Sequence, residues 1–251
     1  VIECADYMET SPLGRAEWLR FYGLLVGQEQ RGDSLFAQIE KEYLALKDLA
    51  AQATSRPTVL SDLKYGSAWY IAGGQSTTGR LYADAGADYV FAELPNSGSV
   101  PMAFETVFDK GEHADFWLIK YNQPQDKTYK ELQKDYSLYA RFKAFRERRI
   151  YGCNTHRIPF YEESPFHPEI LLKDMVKILI GHLYKLCIRV LILELNVCRE
   201  ENQLQGENAT ERMEFYSNVI LKDEQYWEGL LVEYPVMYRL ISKGVNNWIN
   251  N

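Results

Sequence analysis

The sequence predicts an α/β protein: a Rossmann-like parallel sheet with crossover helices, preceded by long helices and followed by a helical tail. Three observations carry this. Two amphipathic helical stretches fill the first fifty residues with no strand between them. From residue 57 onward, short apolar runs alternate with helical segments, as strands joined by crossovers do. Beyond residue 186 the spacing of apolar residues is helical again.

The first helix begins at "SPLGRAEWLRFYGLLVG", with Ser11 as N-cap and Pro12 at the first helical position, and Leu13, Ala16, Trp18, Leu19 and Tyr22 at helical spacing. Gly27 punctuates it. "DSLFAQIEKEYLALKDLAAQA" continues as a second helix, with Leu35, Phe36, Ile39, Tyr43, Leu46, Leu49 and Ala50 on one side. "RPTVLSDL" reads as a strand, "STTGRLYADAG" as a helix closed by Gly86, "ADYVFAEL" as a strand and "MAFETVFDKG" as a short helix. "ADFWLIKYN" is a buried strand, "KTYKELQKDYSLYARFKAFRERR" is helical in two pieces, and "RIYGCN" is the last of four strands. "PEILLKDMVKILIG" is a helix opened by Pro168 and ending near Gly181, and two further helices follow over the tail.

A chain of 251 residues is long enough to bury a sizeable core. Its net charge of −7 disfavours broad attraction to nucleic acid or an anionic membrane, and no nucleic-acid partner is expected. One local exception is "RFKAFRERR" (Arg141 to Arg149), read as a helix with a solvated basic outer face. The four cysteines form neither a C-x-x-C pair nor a zinc spacing, and they neither demand nor exclude disulfides. The apolar run "LCIRVLILELNV" carries Arg189 and Glu194 and is too short to span a bilayer.

Catalytic and metal signatures are missing from the pattern. "GGQSTTG" places small residues before a helix N-terminus, and Gly74 and Gly79 have the spacing of a Walker loop. Arg80 and Leu81 follow where Lys and a hydroxyl belong. The four histidines form no H-x-x-x-H pair, and Glu162 and Glu163 beside His167 match no known metal spacing. No G-x-S-x-G elbow is present. The aromatics speak more clearly. Tyr65, Trp69 and Tyr70 fall in one loop and Phe160 and Tyr161 in another, and loops at the ends of parallel strands form ligand crevices. Two readings stand: these rings pack beneath their loops as satellite core, or they stack on a ligand.

The order of a helix pair, "PTVL", the aromatic-glycine-hydroxyl loop, "DAGADYVF" and "GSVPMAFETVFDKGEHADFWLI" resembles the C-terminal half of periplasmic substrate-binding proteins of ABC importers for iron–siderophore, haem and cobalamin. The "SPLGRAEWLRF" opening looks like the Bacteroidetes-type lipoprotein branch. The resemblance covers roughly residues 1 to 186. It implies a hinge and interlobe linking helices over 1–56, a C-terminal α/β ligand-binding lobe over 57–186, and a tail over 187–251 that the family does not account for.

The resemblance also implies function. It gives capture of a metal chelate without catalysis, delivery to a permease, no resident cofactor or metal, and a periplasmic location with a lipoprotein anchor. It implies an N-terminal lobe and a lipoprotein signal upstream of residue 1. The ligand-facing positions are Tyr65, Trp69, Tyr70, Gly74 and Ser76 in the first loop and Arg157, Phe160 and Tyr161 in the second. Rings suit a flat macrocycle or catecholate, and Arg157 suits an anionic group. Glu105 in "AFETVF" stands where the family docks on a permease arginine. An enzyme or cofactor-handling protein on a Rossmann-like layer, and a non-binding interaction module, are the alternatives.

Overall fold

The computed structural model describes residues 3–180 and the pair 217–218. A 3-10 turn, Asp6–Met8, leads into α1 (Pro12–Leu25) and α2 (Glu29–Ala51). Ser11 caps α1 by accepting from Gly14 N at 3.2 Å, with Pro12 at the first helical position, as the sequence predicts. Gly27 turns the chain between the helices at φ +69°, a conformation other residues adopt at a cost. α2 buries Phe36, Ile39, Tyr43, Leu46, Leu49 and Ala50. Leu35, expected on that face, is exposed instead, because it falls one residue outside the buried stripe.

Among the described residues, eight strands form two sheets where the sequence showed four. The main sheet has the order β4-β1-β6-β7-β8, from β1 (Thr58–Ser61), β4 (Asp88–Tyr89), β6 (Phe116–Tyr121), β7 (Ile150–Asn154) and β8 (Ser217–Asn218). All pairs are parallel except β7 with β8. The register sets Val59 opposite Tyr89, Leu60 opposite Trp117 and Leu118 opposite Tyr151. The "ADYVFAEL" strand is thus cut to two residues, with turns from Val90 onward.

The second sheet was not foreseen. It joins β2 (Lys64–Tyr65), β3 (Ala68–Ala72) and β5 (Ser99–Met102) in antiparallel order β2-β3-β5. Tyr65 to Ala72, read as a loop, is therefore a hairpin. β5 carries Pro101, which an edge strand tolerates because it needs no donor on its free side.

Crossover helices α3 (Thr77–Asp84), α4 (Phe104–Gly111), α5 (Tyr129–Asp135), α6 (Lys143–Arg146), α7 (Phe160–Glu163) and α8 (Pro168–Ile180) complete the described residues. α8 packs on α2, and both border the core formed by β1, β6 and β7. The basic run is not one helix. A 3-10 turn (Ser137–Arg141) ends at Phe142, whose ring is fully buried in extended backbone before α6 begins. Among the described residues no helix is long and apolar enough to cross a membrane. The expected helical tail over 187–251 lies outside the described residues, save Ser217–Asn218, which pair as a strand.

Candidate functional site at the carboxyl ends of the parallel strands

Counted in chain order, the four parallel strands lie second-first-third-fourth across the sheet. The chain leaves β1 toward β4 and later returns to β6 on the other side. Neighbouring strand ends that lead their chains apart in this way mark the switch point at which open α/β sheets form their ligand crevices, and here it falls between β1 and β6.

Two charged side chains occupy that point. Lys120, near the end of β6, pairs with Asp62, just past β1, at 2.5 Å, and their side chains are only 18% and 20% exposed. Burial alone would pull the lysine's pKa down. The charge of Asp62, with contributions from Tyr82 and Tyr161, outweighs it and holds the ammonium above the ordinary lysine range. Asp62 has φ +59°, a left-handed conformation in which Asp is tolerated better than most residues. The backbone of Ser61 and Asp62 is held by three bonds: Asp62 N–H donates to Leu118 O at 2.8 Å, Trp117 Nε1 donates to the Asp62 carbonyl, and Trp69 Nε1 donates to Ser61 O.

Aromatic side chains border the pair. The Lys120 ammonium lies 5.8 Å from the centre of the Phe160 ring. Phe160 meets Tyr161 edge to face at 5.4 Å, and Tyr161 is 65% exposed. Arg157, in the same loop, donates to Asp126 Oδ2 at 3.0 Å. Buried Asn154 ends β7 and donates to the carbonyl of Gln123 at 2.9 Å while accepting from His156 N at 3.2 Å, tying the β6 and β7 loops together. α7 is fastened to α8 through His167, whose Nδ1 lies 3.0 Å from Glu169 Oε1 and whose Nε2 lies 3.7 Å from Glu163 Oε2. The hydrogen bond to Glu169 raises the His167 pKa against the effect of burial, and the charges of Glu169, Glu163 and Glu42 add to it.

The sequence-expected residues divide. Phe160 and Tyr161 come together with Lys120 and Asp62, and Arg157, in the same loop, pairs with Asp126 instead. Tyr65 is exposed at the turn of the hairpin that leaves β1 directly after Asp62, and Tyr70 is half-exposed on the hairpin's outer face. Trp69 faces the opposite way and has no exposed surface, because alternation along β3 sends Trp69 and Ile71 into the core. Gly74 is a packing glycine. A Cβ there would stand 2.0 Å from Ala92 O, so the chain passes where no side chain fits. Ser76 is buried and used up, accepting from Gly79 N at 3.1 Å as N-cap of α3 and donating to Gly73 O at 2.6 Å. Glu105 is exposed in the first turn of α4.

Lys120 and Asp62 were not singled out from sequence. The available signal was a lysine interrupting the apolar run "FWLIKY" at the carboxyl end of its strand. Among the described residues no group of three or more His, Cys, Asp or Glu is placed to hold a metal ion.

Comparison with known proteins gives this arrangement a setting. An uncharacterized lipoprotein of Methanocaldococcus jannaschii is 27% identical over 184 residues, which are 72% of this chain and 42% of that protein. A second uncharacterized lipoprotein of the same organism is 27% identical over 182 residues, 71% of this chain and 46% of its own length. The chain thus spans less than half the length of either relative. Among solved structures, the periplasmic heme-binding protein RhuT from Roseiflexus sp. RS-1 is 25% identical with a TM-score of 0.50, covering 66% of this chain and 65% of that one. The TroA-like periplasmic binding protein FepB from Veillonella parvula shares the fold at a TM-score of 0.54 and 15% identity, over 70% of this chain and 54% of its own. Residues 2–155 match the family described as periplasmic binding protein. With that match running from the first helices through all four parallel strands, the chain belongs to the periplasmic binding protein family.

Proposed function

We propose that this chain forms one wall of a solute-binding cleft and captures a metal chelate, an iron–siderophore, haem or cobalamin, for an ABC importer. The observation that carries the reading is the Lys120–Asp62 pair at the β1–β6 crevice, bordered by the Phe160–Tyr161 ring pair. A half-exposed pair of rings suits the flat face of a chelate, and a cation beside them suits an anionic substituent. Capture needs no chemical conversion, so the protein acts without catalysis. The heme-binding neighbour from Roseiflexus and a structure titled as an ABC-type Fe3+-hydroxamate transport system from Saccharomonospora viridis, TM-score 0.55 at 16% identity, support this class of solute.

In this reading Tyr65, Tyr70, Arg157, Phe160 and Tyr161 face the solute, joined by Lys120. Trp69, Gly74 and Ser76 shape the wall from behind. Glu105, exposed at the start of α4, docks on the permease. The protein works outside the cytoplasmic membrane, held there by a lipid anchor, as the names of its archaeal relatives suggest for them.

Titration of the chain with haem, cobalamin and a ferric hydroxamate, followed by absorbance and tryptophan quenching, tests the reading. Saturable binding of one of them, weakened about fivefold or more by Tyr161→Ala, is expected, since an aromatic contact is worth about 1 kcal/mol. Binding that ignores both Tyr161→Ala and Lys120→Met would overturn the site.

A further inference from the structure

The basic run that breaks around Phe142 borders a cleft of about 480 Å³, lined by Tyr129, Lys130, Gln133, Phe145, Arg146 and Arg148. It lies beside the start of β7, whereas the crevice described above lies at that strand's far end, roughly 13 Å away for five residues. Three features make it a built site. First, its rings are fixed: Tyr129 Oη accepts from Ile150 N at 3.0 Å, and Phe145 meets the Tyr129 ring edge to face at 4.9 Å. Second, its cations are placed by contacts other than ion pairs. The Arg148 guanidinium sits 4.8 Å from the centre of the Tyr129 ring, and Arg146 Nη1 is steadied by the carbonyl of Arg141.

None of Lys130, Arg146 and Arg148 is ion-paired among the described residues. The carboxylates nearest in sequence are engaged elsewhere. Glu131 closes the capping box with Thr128, Asp135 pairs with Lys127, and Glu147 turns to Arg149 at 3.5 Å. Third, Arg148 has φ +58°, in a helix-ending position where glycine is the easy choice. Its backbone is held there by bonds from Arg148 N to Phe145 O and from Arg149 N to Ala144 O, and the result is a guanidinium laid over a ring. In a protein of net charge −7, three cations around one cleft with no ion pair among the described residues are a local reversal of sign.

We propose that this cleft binds a phosphate-class anion, with the Arg146 and Arg148 guanidinium groups and the Lys130 ammonium on the anionic oxygens. Forked guanidinium groups match tetrahedral oxyanions, and three positive charges exceed what a single carboxylate neutralises. The volume is larger than one phosphate, so the rest of the ligand lies along Tyr129 and Phe145. A soluble phosphorylated compound and a phospholipid headgroup both carry this chemistry.

The test uses the full chain. Pyrophosphate is titrated calorimetrically at low salt. Co-sedimentation is measured with vesicles of phosphatidylcholine plus phosphatidylglycerol, against phosphatidylcholine alone. The expected result is binding that weakens at least about tenfold in the Arg148→Gly, Lys130→Gln double variant and not in Arg149→Gln, which lies outside the cleft. Glycine suits the left-handed position, so Arg148→Gly keeps or raises the unfolding midpoint, and lost binding cannot be put down to lost folding. Variant-sensitive pyrophosphate binding without vesicle capture assigns a soluble ligand, and variant-sensitive capture by anionic vesicles assigns a headgroup. No binding to either probe, or binding that the double variant leaves intact, overturns the proposal.

Discussion

Trp69 and Trp117 stack with ring centres 5.5 Å apart and planes 29° from parallel, and their indole N–H groups donate to consecutive carbonyls, those of Ser61 and Asp62, at 3.0 and 2.7 Å. One indole comes from the small antiparallel sheet and the other from the main sheet, so the pair joins the two sheets where β1 ends.

Trp69→Ala is therefore expected to act on stability. Removing a fully buried indole costs about 3–5 kcal/mol. Trp69→Phe keeps most of the volume and loses the hydrogen bond to Ser61 O, a cost nearer 1 kcal/mol plus the strain of an imperfect fit. Tyr161→Ala, at an exposed position, stays within about 0.5 kcal/mol of the parent. Urea unfolding of the three variants checks the order, and equal effects for Trp69→Ala and Tyr161→Ala would contradict it.

Lys120 and Asp62 offer a second measurement. Lys120→Met leaves a little-exposed carboxylate unpaired and is expected to cost about 3 kcal/mol, the low end for breaking a buried pair. Asp62→Asn keeps a residue type that accepts the left-handed backbone while removing the charge. The double variant should recover part of the loss. A double-mutant cycle reports the coupling, and additive effects would show that the pair contributes nothing as a pair.

His167 predicts a pH dependence. Its folded pKa is raised above the reference value of 6.5, so the imidazolium is favoured in the folded protein. The stability it contributes is complete below that value and is lost as pH rises through the folded pKa. The urea midpoint of the parent should thus fall from near pH 6.5 upward relative to His167→Gln, with the two curves parallel at higher pH. Amide exchange in α7 should quicken over the same window, because Glu163 is one of the histidine's partners.

Gly74 gives a steric prediction. Gly74→Ala drives a Cβ into the backbone oxygen of Ala92, and the cost is expected at about 3 kcal/mol or more. Gly98→Ala, where nothing lies within 4 Å of the new carbon, should be close to neutral. Thermal unfolding separates them.

What the sequence disclosed follows from the range of the forces involved. β1, β6, β7 and α8 are legible because a buried strand or an amphipathic helix writes its pattern in consecutive residues. The Ser11 cap is legible for the same reason. The small sheet is not, since β5 runs through Pro101 and the β2–β3 hairpin is only a few residues long. Within β3, "AWYIA" does alternate, and that alternation already sets Trp69 and Ile71 on the face opposite Tyr70. The Lys120–Asp62 pair spans 58 positions in the chain and arises only when β1 and β6 lie side by side.

The Asn154 amide has a thermodynamic consequence. By holding the carbonyl of Gln123 and the N–H of His156 at once, it ties the main chain of two neighbouring loops together. Under the proposed function, a solute that settles on this wall loses its own freedom and that of projecting side chains such as Tyr161, while the backbone tied by Asn154 surrenders less. Asn154→Ala should carry its penalty in the binding entropy, even where every contact with the solute is unchanged.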